Sequence, residues 1–223
     1  MSRPSPDLGA LFSTIGLERD YRDLDLGGVE PDLQGWASDN PCFAELITEL
    51  RPSVVIEVGT WKGASVVEMG RTAQRLGLAT TFICIDTWLG SNPILWLHAD
   101  LRQSLQLRGG YPAMFRTFIK NLQEAGLSEA VYPMPMTSIT AAYILRHWGI
   151  KADLIYIDAG HSQVEVTTDL ETYAPLLRPG GVLLGDDYLP QWPGVVAAVD
   201  AFSERHKYLL ELKGEKFLFR VPN

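Results

Sequence analysis

In the stretch DLIYIDAGHS, Asp153 to Ser162, mostly apolar residues run into Asp158, two small residues follow, and then comes His161. A carboxylate here could bind a cation, and an imidazole with an unperturbed pKa of about 6.5 can take a proton near neutral pH. A second acidic group, Asp186 with Asp187, closes the apolar run GVLLGDDY. If Asp158 and Asp186 end adjacent parallel strands, they lie roughly 5 Å apart laterally. Three carboxylates that close repel and raise one another's pKa unless a cation neutralises them, and hard oxygen donors suit Mg²⁺ or Ca²⁺. Each group also has a plainer role: GDDY can be a capped turn and His161 a loop histidine.

Two further strand ends carry acids. In VIEVGTWKGAS, Glu57 precedes a G-x-x-x-G spacing, Gly59 to Gly63, and one strand later Asp86 ends TFICID. A dinucleotide fingerprint needs a middle glycine, and Trp61 fills that slot. An acid at the position of Asp86 commonly grips a ribose, so the pair suggests a nucleoside without a pyrophosphate.

The elements that must position these residues are legible as alternating patterns. SVVIEV, TFICID, DLIYID and GVLLGD are short runs, apolar on both faces, that suit strands buried between two helix layers. A one-sided helix is predicted from Phe43, Leu46, Ile47 and Leu50, with Asn40 as N-cap and Pro41 at its first position. Val66, Met69, Ala73 and Leu76 give a helix stopped near Gly77, and Val166, Leu170, Tyr173 and Leu177 give another stopped by RPGG. AVYPMPM is a weaker strand, TAAYILRHWG a helix, and GVVAAVDAFSERH a helix with Val195, Val199 and Phe202 on one face. YLLELKGEKFLFRV reads as two strands joined at Lys213 and Gly214. Strand alternating with helix predicts an α/β fold: a Rossmann-like, doubly wound, mostly parallel seven-stranded sheet with a C-terminal antiparallel hairpin. It is a single domain, 36–223, preceded by a lead-in or N-terminal helical extension, 1–35. The stretch 87–110 is too long for a plain connection and reads as a lid or substrate insertion.

The motifs EVGTWKGAS, CIDTW, IDAGHS and PLLRPGGVLLGDDY resemble class I S-adenosylmethionine-dependent methyltransferases, and more narrowly the metal-dependent O-methyltransferases of catechols and of macrolide sugars. The resemblance implies that Glu57, Gly59, Thr60, Trp61, Gly63 and Ser65 line the methionine end of S-adenosylmethionine. It implies that Asp86 and Thr87 hold the ribose, that Thr137 or Ser138 meets the adenine, and that Asp158 borders the cofactor. Asp158, Asp186 and Asp187 would bind the cation, expected to be Mg²⁺. The general base would be His161, where catechol-type enzymes carry a lysine. The acceptor is then a small molecule with a vicinal diol, a sugar or glycosylated metabolite before a catechol. Trp88, Trp96, Tyr111, Tyr188 and Trp192 are candidate walls for its ring, although core packing is the commoner role for any one of them.

Composition narrows the alternatives. A net charge of −8 with no basic run argues against nucleic acid. The start has no apolar leader and no stretch is apolar enough for a span, so neither secretion nor a membrane is expected. Cys42 and Cys84 are the two cysteines, and Cys84 sits in an apolar run, which suits a reducing cytoplasm. A homo-oligomer stays open. The rival functions are a metal-independent methyltransferase, a nicotinamide oxidoreductase, disfavoured by the absent middle glycine, and a non-catalytic nucleoside-binding module.

Overall fold

A computed structural model describes residues 8–17, 21 and 24–222. At its centre lie four parallel strands: β1 (Val54–Val58), β2 (Thr81–Asp86), β4 (Ala152–Ile157) and β5 (Leu177–Gly185). AVYPMPM supplies the fifth, β3 (Val131–Pro135), parallel to β2. β6 (Glu211–Lys213) and β7 (Lys216–Arg220) form the predicted hairpin, turned at Gly214 and Glu215, with β7 antiparallel to β5. The strand order is β3-β2-β1-β4-β5-β7-β6, so the chain reverses direction across the sheet between β1 and β4. In such sheets ligands bind at that crevice, beyond the carboxyl ends of the strands.

Burial on both faces explains the unbroken apolar strands. Val54, Ile56 and Val58 of β1 join one core with α1 (Leu8–Thr14), α7 (Ser138–His147), α8 (Gln163–Tyr173) and α9 (Pro193–His206). Val55, pointing the other way, joins a second core with α2 (Cys42–Leu50), α3 (Ala64–Arg75) and α6 (Met114–Glu124). Side chains alternate across a strand, so each strand must be apolar twice over.

The expected helices form on the expected faces. Asn40 caps α2 by accepting the Cys42 N–H at 3.0 Å, and Phe43, Leu46 and Ile47 are buried. α3 buries Val66, Met69 and Ala73 and stops at Leu76, with Gly77 in the left-handed region at φ 63°. One boundary differs from the sequence reading. Leu177 is not the last helical residue: after α8 and a short 3₁₀ turn, Ala174–Leu176, it opens β5, and RPGG lies inside that strand. Gly180 at φ 74° and a register shift opposite Ala152 and Leu154 absorb the irregularity. The lead-in is also more integrated than its composition suggests. Leu11 and Phe12 of α1 are core residues, and the Phe12 ring stacks on Tyr132 at 4.2 Å.

The insertion at 87–110 folds as α4 (Ile94–Leu97), α5 (Ala99–Gln103) and a bridge between Arg108 and Tyr111. It anchors through Leu95 and Leu105 and leaves Trp96, Leu97 and Leu107 exposed, as is the following Tyr111.

Candidate active site

Gly59 sits at the crossing point. Its N–H bonds to the Ile85 carbonyl at 2.8 Å, and at φ 86° a Cβ would stand 1.9 Å from the Asp158 carbonyl oxygen. Only glycine lets β1 turn this close to the end of β4. The turn then runs through Trp61, left-handed at φ 53°, to Gly63 at φ 84°, which precedes α3. Asp86 secures it: Oδ2 accepts the Trp61 N–H at 2.9 Å and Oδ1 the Trp88 N–H at 2.7 Å. Burial raises the Asp86 pKa, and these backbone bonds oppose the rise. Thr87, adjacent, meets Ser91 through its hydroxyl at 3.1 Å.

Glu57 and Ser65 meet under the turn, Glu57 only 1% exposed and accepting the Ser65 hydroxyl. Burial pushes Glu57 up to about 8, so it keeps its proton near neutral pH. Thr60 is likewise buried. Farther along the sheet, Thr137 caps α7 by accepting the Thr140 N–H. Ser138 turns inward: its carbonyl accepts the Tyr173 hydroxyl at 2.7 Å, and its hydroxyl bonds to the buried Asp169.

At the ends of β4 and β5, Asp158 and Asp186 follow the paired residues Ile157 and Gly185. The structure brings Asp158, His161 and Asp187 together, with one ligand atom of each within 4.8 Å of the others. They line a small cleft with Asp186, Ala159, Gly160 and Val195. His161 Nε2 lies 2.6 Å from Asp187 Oδ2, and its ring stacks on Trp192 with centroids 4.3 Å apart. The hydrogen bond to Asp187 raises the His161 pKa and outweighs burial, which lowers it. Burial first, then the charges of Asp186 and Asp187, raise Asp158.

Asp186 is placed differently. Its Oδ2 is paired with the ammonium of Lys216 on β7, a side chain with no exposure, and lies 2.6 Å from the Tyr156 hydroxyl. That hydroxyl is also 3.0 Å from Asp158 Oδ2. The sequence reading missed both partners. Tyr156 had a signal, since a residue two before Asp158 points to the same side of the strand. Lys216 had none, being one of two lysines that flank the hairpin turn. Among the candidate walls, Trp88 is core, 2% exposed and packed on Phe115 and Phe118. Tyr188 bonds to Asp200 at 2.8 Å, Trp96 stands on the insertion, and Tyr111 follows its last residue.

The methyltransferase-domain family model matches residues 56–188, which run from Glu57 and the Gly59 turn through Asp187. The chain belongs to the methyltransferase-domain family. Solved methyltransferases share its fold over nearly the whole chain. An O-methyltransferase from Bacillus cereus, in complex with SAH, is 14% identical with a TM-score of 0.59, covering 98% of this chain and 92% of its own. TomG of Streptomyces achromogenes, an O-methyltransferase of tomaymycin synthesis solved with SAM, is 16% identical with a TM-score of 0.57, covering 97% and 96%. The SAH-bound methyltransferase PaMTH1 of Podospora anserina is 13% identical with a TM-score of 0.58, covering 100% of both chains. Among curated proteins, the uncharacterized protein y4gI of Sinorhizobium fredii is 23% identical over 152 residues. The chain aligns there over 68% of its own length and spans about 15% of that relative. No helix among its described residues is long and apolar enough to cross a membrane.

Proposed function

We propose that this methyltransferase is an S-adenosylmethionine-dependent O-methyltransferase that acts on a vicinal diol of a sugar or glycosylated metabolite, assisted by a divalent cation, Mg²⁺ in the first instance. The observation that carries the reading is the convergence of Asp158, His161 and Asp187 beside the glycine turn at Gly59. In this assignment Glu57, Gly59, Thr60, Trp61, Gly63 and Ser65 form the methionine end of the cofactor site. Asp86 and Thr87 take the ribose, Thr137 and Ser138 border the adenine, and Asp158 separates cofactor from acceptor.

The donor chemistry fits a cation. Lys216 compensates one of the three carboxylates, and the carboxyl groups of Asp158 and Asp187 remain beside His161. A cation held there by Asp158 and Asp187 would lower the pKa of a coordinated acceptor hydroxyl. His161 removes the hydroxyl proton, and stacking on Trp192 with hydrogen bonding to Asp187 fixes its ring for that task. Holding oxygen, methyl carbon and sulfur in line supplies most of the remaining acceleration. Trp96, within 87–110, and Tyr111, just after it, are assigned to acceptor contact.

A methyl-transfer assay on a panel of sugars and catechols, with and without Mg²⁺, tests the proposal. Turnover on a diol that EDTA abolishes and Mg²⁺ restores is the expected result. Turnover indifferent to EDTA would remove the cation, and turnover confined to catechols would remove the sugar.

A further inference from the structure

We infer that Lys216 is the internal counter-ion of Asp186 and keeps that carboxylate out of the cation's coordination shell, so that Asp158 and Asp187 are the carboxylates that hold the metal. The inference rests on the divalent-cation reading above and assigns roles within that site. It concerns a residue beyond the stretch 56–188 that the family model matches.

Lys216 enters from β7, antiparallel to β5, and is completely buried. Its ammonium lies over the rings of Phe43, 4.9 Å from the centroid, and Tyr156, 5.2 Å away. A buried ammonium needs an ionised, hydrogen-bonded partner. Asp186 Oδ2 is that partner, and the Tyr156 oxygen, 3.2 Å away, is the second. The other oxygen of Asp186 accepts the Asp187 N–H at 2.9 Å, so both are engaged within the fold. Turning Asp186 toward a cation would leave Lys216 with the phenol alone among its described polar partners. Asp187 instead adopts a left-handed backbone, φ 62°, which sends the two consecutive carboxylates apart. Both residues border the cleft, but Oδ2 of Asp186 pairs with the buried Lys216, whereas Oδ2 of Asp187 meets His161.

Removing the buried pair as a unit separates a counter-ion from a ligand, because deleting both partners avoids a stranded charge. Mg²⁺ and Mn²⁺ are titrated calorimetrically into the full chain and into three variants, with circular dichroism to verify folding. Asp186→Asn/Lys216→Met should keep the cation dissociation constant within about threefold of the unmodified protein, whereas Asp158→Asn should weaken it by roughly 100-fold or more, beyond the 10- to 100-fold typical of outer-shell changes. Lys216→Met alone releases a third carboxylate beside the site and should tighten binding by about tenfold. A double variant that loses cation binding as completely as Asp158→Asn overturns the inference, and so does a folded Lys216→Met with unchanged affinity. If Lys216→Met does not fold, the double variant decides alone; if the double variant does not fold, Lys216→Met decides. If neither folds, the pair is a structural requirement, and Asp186→Glu, which keeps the charge but lengthens the arm, must retain wild-type affinity or the inference falls. An unmodified protein that binds neither ion removes the cation reading itself, a result distinct from loss in the variant.

Discussion

His161 is held on two sides, by a 2.6 Å hydrogen bond to Asp187 and by the face of Trp192. If it is the base, His161→Ala should lower kcat by about 10²- to 10⁴-fold with little change in S-adenosylhomocysteine affinity, and added imidazole should restore part of the rate. Retention of full activity with the cation still bound would end that assignment. A second residue-scale prediction concerns Asp169, whose buried carboxyl is pushed up to about 6, by burial first, against a hydrogen bond from Ser138. The fold therefore holds the Asp169 proton more tightly than the unfolded chain does. Stability from this group is fully present below the unfolded pKa of 3.8 and is lost as pH rises through about 6. Asp169→Asn removes the titration. It should gain about 1–2 kcal/mol, a few degrees of Tm, at pH 8 and almost nothing near pH 3.5, which thermal melts at the two pH values would show.

At the scale of elements, the site depends on two tight junctions, β1 against β4 at Gly59 and β5 against β7 at Gly185. A Cβ on Gly185 would lie 2.0 Å from the Phe217 ring, and one on Gly59 would meet backbone instead. Gly59→Ala combines that collision with a positive φ and should cost about 3 kcal/mol or more, while Gly185→Ala should be partly relieved by Phe217→Leu, which opens space on β7. Denaturant midpoints of the single and double variants measure the difference. The Gly59–Gly63 turn was legible in the sequence because glycine spacing is a local signal. So were the strands, since runs apolar on both faces leave few alternatives. The end of α8 was misread because Leu177 continues the helical spacing and also starts a buried strand, and local pattern cannot separate the two. The acids at the strand ends were legible as a layer, but not which of them would be compensated. That depends on Lys216, 30 residues beyond Asp186, entering from a hairpin whose lysines look alike until the sheet is assembled.

At the scale of the whole molecule, the segment ahead of β1 is built into the Gly59–Gly63 turn. Asp32 pairs with Lys62 at 2.5 Å, and the Lys62 side chain, inside the turn, is only 3% exposed. Asn121 on α6 ties the two segments by donating to the carbonyls of Asp32 and Lys62, each at 2.8 Å, and by accepting the Asp32 N–H at 2.9 Å. Gln34 accepts the Trp61 indole N–H at 3.1 Å, and Trp36 packs on the Trp61 ring at 5.5 Å. The conformation of the turn, left-handed Trp61 included, is thus fixed from outside the region 56–188 that carries the family pattern. Asp32→Ala would leave the Lys62 ammonium buried and poorly paired. Asp32 itself is partly exposed, so the cost should be about 1–3 kcal/mol, below the figure for a fully buried pair, and Tm should fall by several degrees. Because the same contacts hold the turn, S-adenosylhomocysteine should bind about tenfold more weakly, one factor of ten being about 1.4 kcal/mol. Adding Lys62→Met removes the stranded charge and should recover most of the Tm. Unchanged melting and unchanged binding in Asp32→Ala would mean that the pair is an ordinary surface contact and that the turn holds its shape without the lead-in.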